Sequence, residues 1–129
     1  MALTSFLKNL FGGDDNSNAT ATEDVATDNR RRNETLSGKA FKKQLEESEN
    51  GVLLDVRTLG EFGQGTIPGA LLADYLSPNF AKTIAKLDKN ATYFVFCRSG
   101  NRSAQACSMM YKQGFDVRNL SGGIGAFPG

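Results

Sequence analysis

Two runs, "GVLLDV" at 51–56 and "ATYFVF" at 91–96, constrain this chain more than anything else in it. Each is apolar on both faces of an extended segment, so each must be covered above and below. Strands of that kind belong to a parallel sheet packed between helices. Helical segments fall where such a sheet needs them. Ser37 is placed to cap a helix running to about Glu47, with Phe41 and Leu45 on one face and Gly51 just beyond its end. A second helix is predicted from about Pro78 to Lys86, with Phe80, Ile84 and Leu87 facing inward. A third is predicted over 103–113, stopped by Gly114. "ALLA" and "FDVRNL" read as further strands, "TLGEFGQGTIPG" as a turn-rich connection, and Asp88-Lys89-Asn90 as a turn. Strands alternating with helices predict an α/β fold whose mostly parallel sheet is covered on both faces. Chemistry in such a sheet sits at the carboxyl ends of the strands.

Composition narrows the function. The chain has 129 residues and a net charge of +1, enough for one core. Residues 1–36 hold six acids against four bases, leaving a mild positive excess in the remainder. That excess is too small to point to nucleic acid. With two cysteines and no histidine, the chain cannot build a four-ligand Cys/His zinc site. The same absence removes the Cys-His pairing of papain-like hydrolases. No metal and no cofactor are expected. No stretch reaches the roughly 18 apolar residues of a membrane span. "MALTSFLKNLFGG" makes a poor secretory signal, since Lys8 interrupts its apolar residues and acids follow. The expectation is a cytoplasmic protein whose thiols stay reduced. The glycosylation-like triplets at Asn33, Asn90 and Asn101 are discounted accordingly.

An N-terminal extension, residues 1–35, is expected to precede an ordered domain at 36–129. Leu3, Phe6, Leu7, Leu10 and Phe11 recur at helical spacing over residues 2–11. Such a helix would be a docking peptide or a short segment that packs on its own domain or frays. Lys8 is its one positive charge, so binding to a membrane surface is not expected. Residues 14–32 are poor in large apolar side chains and read as a linker or disordered tail. Its Arg30 to Arg32 run is a basic handle for a partner or simply a solvated face. A flexible linker of this length would let the helix range about 25 Å.

The chemistry concentrates in "FVFCRSGNRSAQA" at 94–106. Cys97 stands at the carboxyl end of a central strand, and Ser103 begins the next helix. Between them Arg98, Ser99, Gly100, Asn101 and Arg102 must curl back, with Gly100 and Asn101 best suited to left-handed backbone. Backbone N–H groups turned inward, with the positive end of the helix, form a cradle for an anion, here the Cys97 sulfur. Such settings lower a cysteine pKa to roughly 3.5–7.5 without any imidazole. Arg98 and Arg102 would draw in an anionic substrate. Ser99 and Ser103 are placed to hydrogen-bond the sulfur, though capping alone accounts for Ser103. Asp55 and Arg57 follow the neighbouring strand, where they would hold the loop, meet substrate, or form a structural ion pair such as Arg57 with Glu61. Cys107 is either a resolving thiol or buried apolar filler.

At these residues the chain resembles the rhodanese family of sulfurtransferases. "LLDVRTLGEF", "IPGA", "CRSGNRSA" and "NLSGGIGAF" occur in the family's order and spacing, over about residues 36–127. The resemblance implies a three-layer α/β/α domain with a mostly parallel five-stranded sheet. It implies that Cys97 accepts a sulfane sulfur from a small anionic donor such as thiosulfate and holds it as a persulfide. An acceptor such as cyanide or a protein thiol then receives the sulfur. A monomer is expected. The Cys97-to-Arg102 spacing is C-x4-R, whereas phosphatases of this fold look like C-x5-R, so sulfur transfer is favoured over phosphate or arsenate chemistry. A second reading is a sulfur-carrier or protein-binding module with little small-molecule turnover. The family commonly has histidine where Thr66 stands and tryptophan where Phe127 stands. Members usually continue through a helix where Pro128 and Gly129 close this sequence, so one sheet face is expected to be thinly covered.

Overall fold

The computed structural model describes residues 31–129. The readings of residues 2–11 and of most of the linker, Arg30 included, lie outside the described residues. Five strands form one parallel sheet: β1 (Asn33–Leu36), β2 (Gly51–Asp55), β3 (Leu71–Leu72), β4 (Thr92–Phe96) and β5 (Asp116–Leu120). Their order across the sheet is β1-β5-β4-β2-β3, which puts β4 at the centre. Four α-helices connect them: α1 (Gly38–Glu47), α2 (Leu59–Gly63), α3 (Phe80–Ala85) and α4 (Asn101–Lys112). A single 3-10 turn, Ile124–Ala126, follows β5.

Side chains alternating along β4 divide the core in two. Tyr93, Val95 and Cys97 face α3 and α4, where they pack with Ile84, Ala106, Cys107, Met110 and Phe115. Phe94 and Phe96 face the other way, toward Phe41 and Leu45 of α1 and toward Ile124 and Phe127. Phe41 meets both Phe94 and Phe127 edge to face, at centroid distances of 5.5 and 6.1 Å. Phe127 packs on Phe41 at the edge of this cluster, on the face expected to be thinly covered. Phe94 and Phe96 on that face are buried. The result is the three-layer α/β/α arrangement.

The sequence predicts order from about Leu36 onward and no strand before it, yet Asn33–Leu36 form β1. Its main chain pairs with β5 over four positions, Glu34 opposite Arg118. Arg118 is buried, yet it reaches Asp116 Oδ1 at 2.7 Å and Glu34 at 3.6 Å, while the Arg32 N–H donates to Asp116 Oδ1 at 2.7 Å. Long-range pairing makes this strand, not apolar patterning. The turn-rich connection also holds an unexpected helix, α2, started by a capping box. Thr58 Oγ1 accepts from the Glu61 N–H, and the Glu61 carboxylate accepts from the Thr58 N–H. Elsewhere the boundaries move by a residue or two: α3 is shorter than 78–86, and α4 begins at Asn101 rather than Ser103.

Candidate active site

Cys97 follows β4 directly, at the carboxyl end of the central strand. The chain turns through Arg98 and Ser99 to Gly100, whose φ of 101° lies in the left-handed region and makes it the N-cap of α4. Asn101, the other candidate for left-handed backbone, is already helical. Gly100 donates its N–H to Cys97 Sγ at 3.0 Å. Because α4 starts two residues early, Ser103 lies inside the first turn with its hydroxyl 3.4 Å from the same sulfur. Ser103 therefore serves the sulfur; the cap is Gly100.

The electrostatics of Cys97 set two effects against each other. Burial is the larger single influence and pushes the thiol up. The Ser103 hydroxyl and the N–H groups of Ser103, Gly100 and Ser99 act the other way, and together they leave the pKa below the ordinary thiol value. Cys97 has no solvent-accessible surface, so its sulfur is the floor of the loop rather than its rim. Cys107, one turn deeper, has no such donors. Burial first and then the charge of Cys97 push its thiol up to about 12, which keeps it protonated in the core.

The wall behind the loop comes from the "SGGIG" segment. The Ile124 N–H donates to the Cys97 carbonyl at 2.8 Å. Gly123, with φ of 77°, runs against the Arg98 carbonyl and the Ser99 nitrogen so closely that a β-carbon has no room. In the sequence, the signal for this close backbone approach is the glycine doublet after a strand.

The arginines divide by role. Arg102 donates through Nη1 and Nη2 to Glu61 Oε1 and Oε2 at 2.8 and 3.1 Å. Of the alternatives open for Arg57, the structure shows a structural ion pair, made not with Glu61 but with Asp55, through Nη2 at 2.8 Å and Nε at 3.0 Å, together with the Gly65 carbonyl at 2.6 Å. Thr66 Oγ1 donates to Asp55 Oδ2 at 2.8 Å. Asp55 and Arg57 are thus a buried strut under α2, and α2 carries Glu61 to the Cys97 loop. Arg98, Ser99 and Asn101 point their side chains outward, with no side-chain hydrogen bond or ion pair among the described residues. The described residues contain no group of three or more side chains that could hold a metal ion. No helix among them is long and apolar enough to cross a membrane.

Residues 37–128 match the sequence profile of the rhodanese-like domain. The chain belongs to the rhodanese-like domain family. This rhodanese-like chain is 37% identical over 91 residues to a protein named Sulfurtransferase in Allochromatium vinosum, covering 69% of this chain and 82% of that one. It is 34% identical over 80 residues to the putative sulfur carrier protein YrkF of Bacillus subtilis, covering 62% of this chain and 42% of that protein. The crystal structure of a rhodanese-like domain protein from Staphylococcus aureus superposes with a TM-score of 0.65 at 29% identity, over 74% of this chain and 91% of that one. The rhodanese-like fold thus coincides with the sheet and the Cys97 loop described above.

Proposed function

We propose that this rhodanese-like domain is a sulfurtransferase that works through Cys97. The observation that carries the reading is the pair of donors on one sulfur, the Gly100 N–H at 3.0 Å and the Ser103 hydroxyl at 3.4 Å, which with the N–H groups of Ser103 and Ser99 leave the thiol pKa below its ordinary value despite burial. A thiolate is the nucleophile that sulfur transfer needs. It attacks the outer sulfur of a donor such as thiosulfate, the sulfur–sulfur bond breaks, and sulfite leaves with the electron pair. Cys97 keeps the transferred atom as a persulfide. A thiophilic acceptor such as cyanide or a protein thiol then attacks that outer sulfur and restores the thiolate. No imidazole or metal is required at any step. The test is mass spectrometry of the protein after thiosulfate. A gain of one sulfur is expected on Cys97, removable by cyanide and absent in Cys97→Ser; labelling elsewhere, or none, defeats the reading.

The similarity to a putative sulfur carrier favours a second reading, in which the persulfide serves a dedicated protein partner. Steady-state turnover with thiosulfate and cyanide separates the two. Rapid turnover lost in Cys97→Ser supports the enzyme. Loading of Cys97 without turnover, until a protein thiol acceptor is added, supports the carrier.

A further inference from the structure

"CRSGNR" brings two guanidiniums to the site, but they do not meet a substrate on equal terms. Both terminal nitrogens of Arg102 are committed to the two oxygens of Glu61. Glu61 is itself fixed: the Thr58 N–H and hydroxyl donate to its Oε1 at 3.0 and 3.1 Å. The Arg102 hydrogen bonds, then the Thr58 N–H, hold its carboxyl at about 2, so it is ionised throughout the neutral range. Arg102 in turn lies close enough to Cys97 to feel its charge. Arg98, by contrast, is exposed and has no ion pair among the described residues.

We propose that Glu61 sets the charge of the sulfur donor that this site accepts: by cancelling Arg102 it leaves Arg98 as the loop's uncompensated cation, so singly charged donors are favoured over doubly charged ones. The inference rests on the sulfur-transfer reading above. A thiosulfate dianion must approach a thiolate and a carboxylate with two guanidiniums to offset all of them. Benzenethiosulfonate undergoes the same sulfur–sulfur cleavage, with benzenesulfinate leaving on the electron pair, but it arrives with one negative charge. Glu61 contacts Arg102 and not the reacting sulfur, so it is a positioning residue whose charge acts at a distance.

The experiment measures the rate of Cys97 sulfur loading by thiosulfate and by benzenethiosulfonate, at low and at high salt. Glu61→Gln removes the charge and keeps a hydrogen-bonding side chain for Arg102 and Thr58. Thiosulfate loading is expected to rise about threefold or more at low salt, benzenethiosulfonate loading to rise less, and the gap to close at high salt. Arg98→Gln, at an exposed position with no partner to lose, should shift the donor ratio the other way and carries the test if the first variant does not fold. An unchanged donor ratio in both variants overturns the proposal, as does an equal slowing of both donors in Glu61→Gln, which would mark Glu61 as a prop alone. Failure of wild-type Cys97 to take sulfur from either donor overturns the sulfur-transfer reading itself and is a different result.

Discussion

Gly123 and Arg98 touch backbone to backbone: the main chain of the closing turn lies against the carbonyl that follows Cys97, leaving no space for a side chain between them. Gly123→Ala must therefore shift the loop that cradles the sulfur, and it also forces a side chain onto a φ of 77°. The strained backbone alone costs about 1–3 kcal/mol. Urea unfolding should show at least that loss, with slowed sulfur loading of Cys97. Gly125→Ala, where an added β-carbon meets nothing within 4 Å, is the silent control. Equal stability of the two variants would contradict the proposed contact.

Ser103→Ala tests how the thiol is ionised. Removing the hydroxyl takes away the largest of the influences that lower the Cys97 pKa and leaves burial, which raises it. The thiolate midpoint should move upward, so less thiolate is present at neutral pH and sulfur loading slows there but recovers as pH rises. Ultraviolet absorbance of the thiolate reads this without depending on access to the sulfur. Cys107 does not interfere, because its thiol titrates only at about 12. A midpoint that stays in place would remove Ser103 from the mechanism.

Asp55→Ala leaves the Arg57 guanidinium, whose side chain is 8% exposed, without its carboxylate. Breaking a buried pair from one side costs about 3–5 kcal/mol. The loss should appear in urea unfolding, and α2 should lose its footing through the Gly65 and Thr66 contacts. Replacing both partners by apolar residues should cost clearly less than Asp55→Ala alone. If the single change is harmless, the strut is not structural.

Glu61 gives a pH signature with a definite sign. Its folded carboxyl is lowered to about 2, whereas an unfolded glutamate titrates near about 4.3. Its stabilising contribution is complete above the unfolded value and is lost as pH falls toward the folded one. For a pair this near the surface the amount is small, about 0.2–1 kcal/mol. The stability difference between wild type and Glu61→Gln should be flat from neutral pH down to about pH 5 and shrink below it. A difference that shrinks only on raising the pH would have the wrong sign.

The central strands were legible because their residues are apolar on both faces, a demand that one architecture meets. Cys97 at the end of such a strand, followed by Gly100, was legible for the same reason. β1 was not, because Asn33, Glu34 and Thr35 carry no pattern; β5 and the buried Arg118 supply what holds them. α2 had its signal in Thr58 and Glu61, a capping-box spacing, but Gly60, Gly63 and Gly65 weigh toward a turn. Pairing of Arg57 with Glu61 is one of several readings the sequence leaves open. The side chain instead folds back two residues to Asp55, and Glu61 is claimed by Arg102, 41 positions away. Only the folded sheet brings those two together.

The depth of Cys97 has a consequence for the order of events. In the proposed cycle a persulfide bond would extend the side chain by about 2 Å, so the transferred atom would be the outermost sulfur of a residue that is itself fully buried. The unloaded sulfur has no exposed surface, whereas the proposed persulfide would carry its outer atom closer to solvent. Under that proposal, loading would take place at depth and discharge nearer the surface.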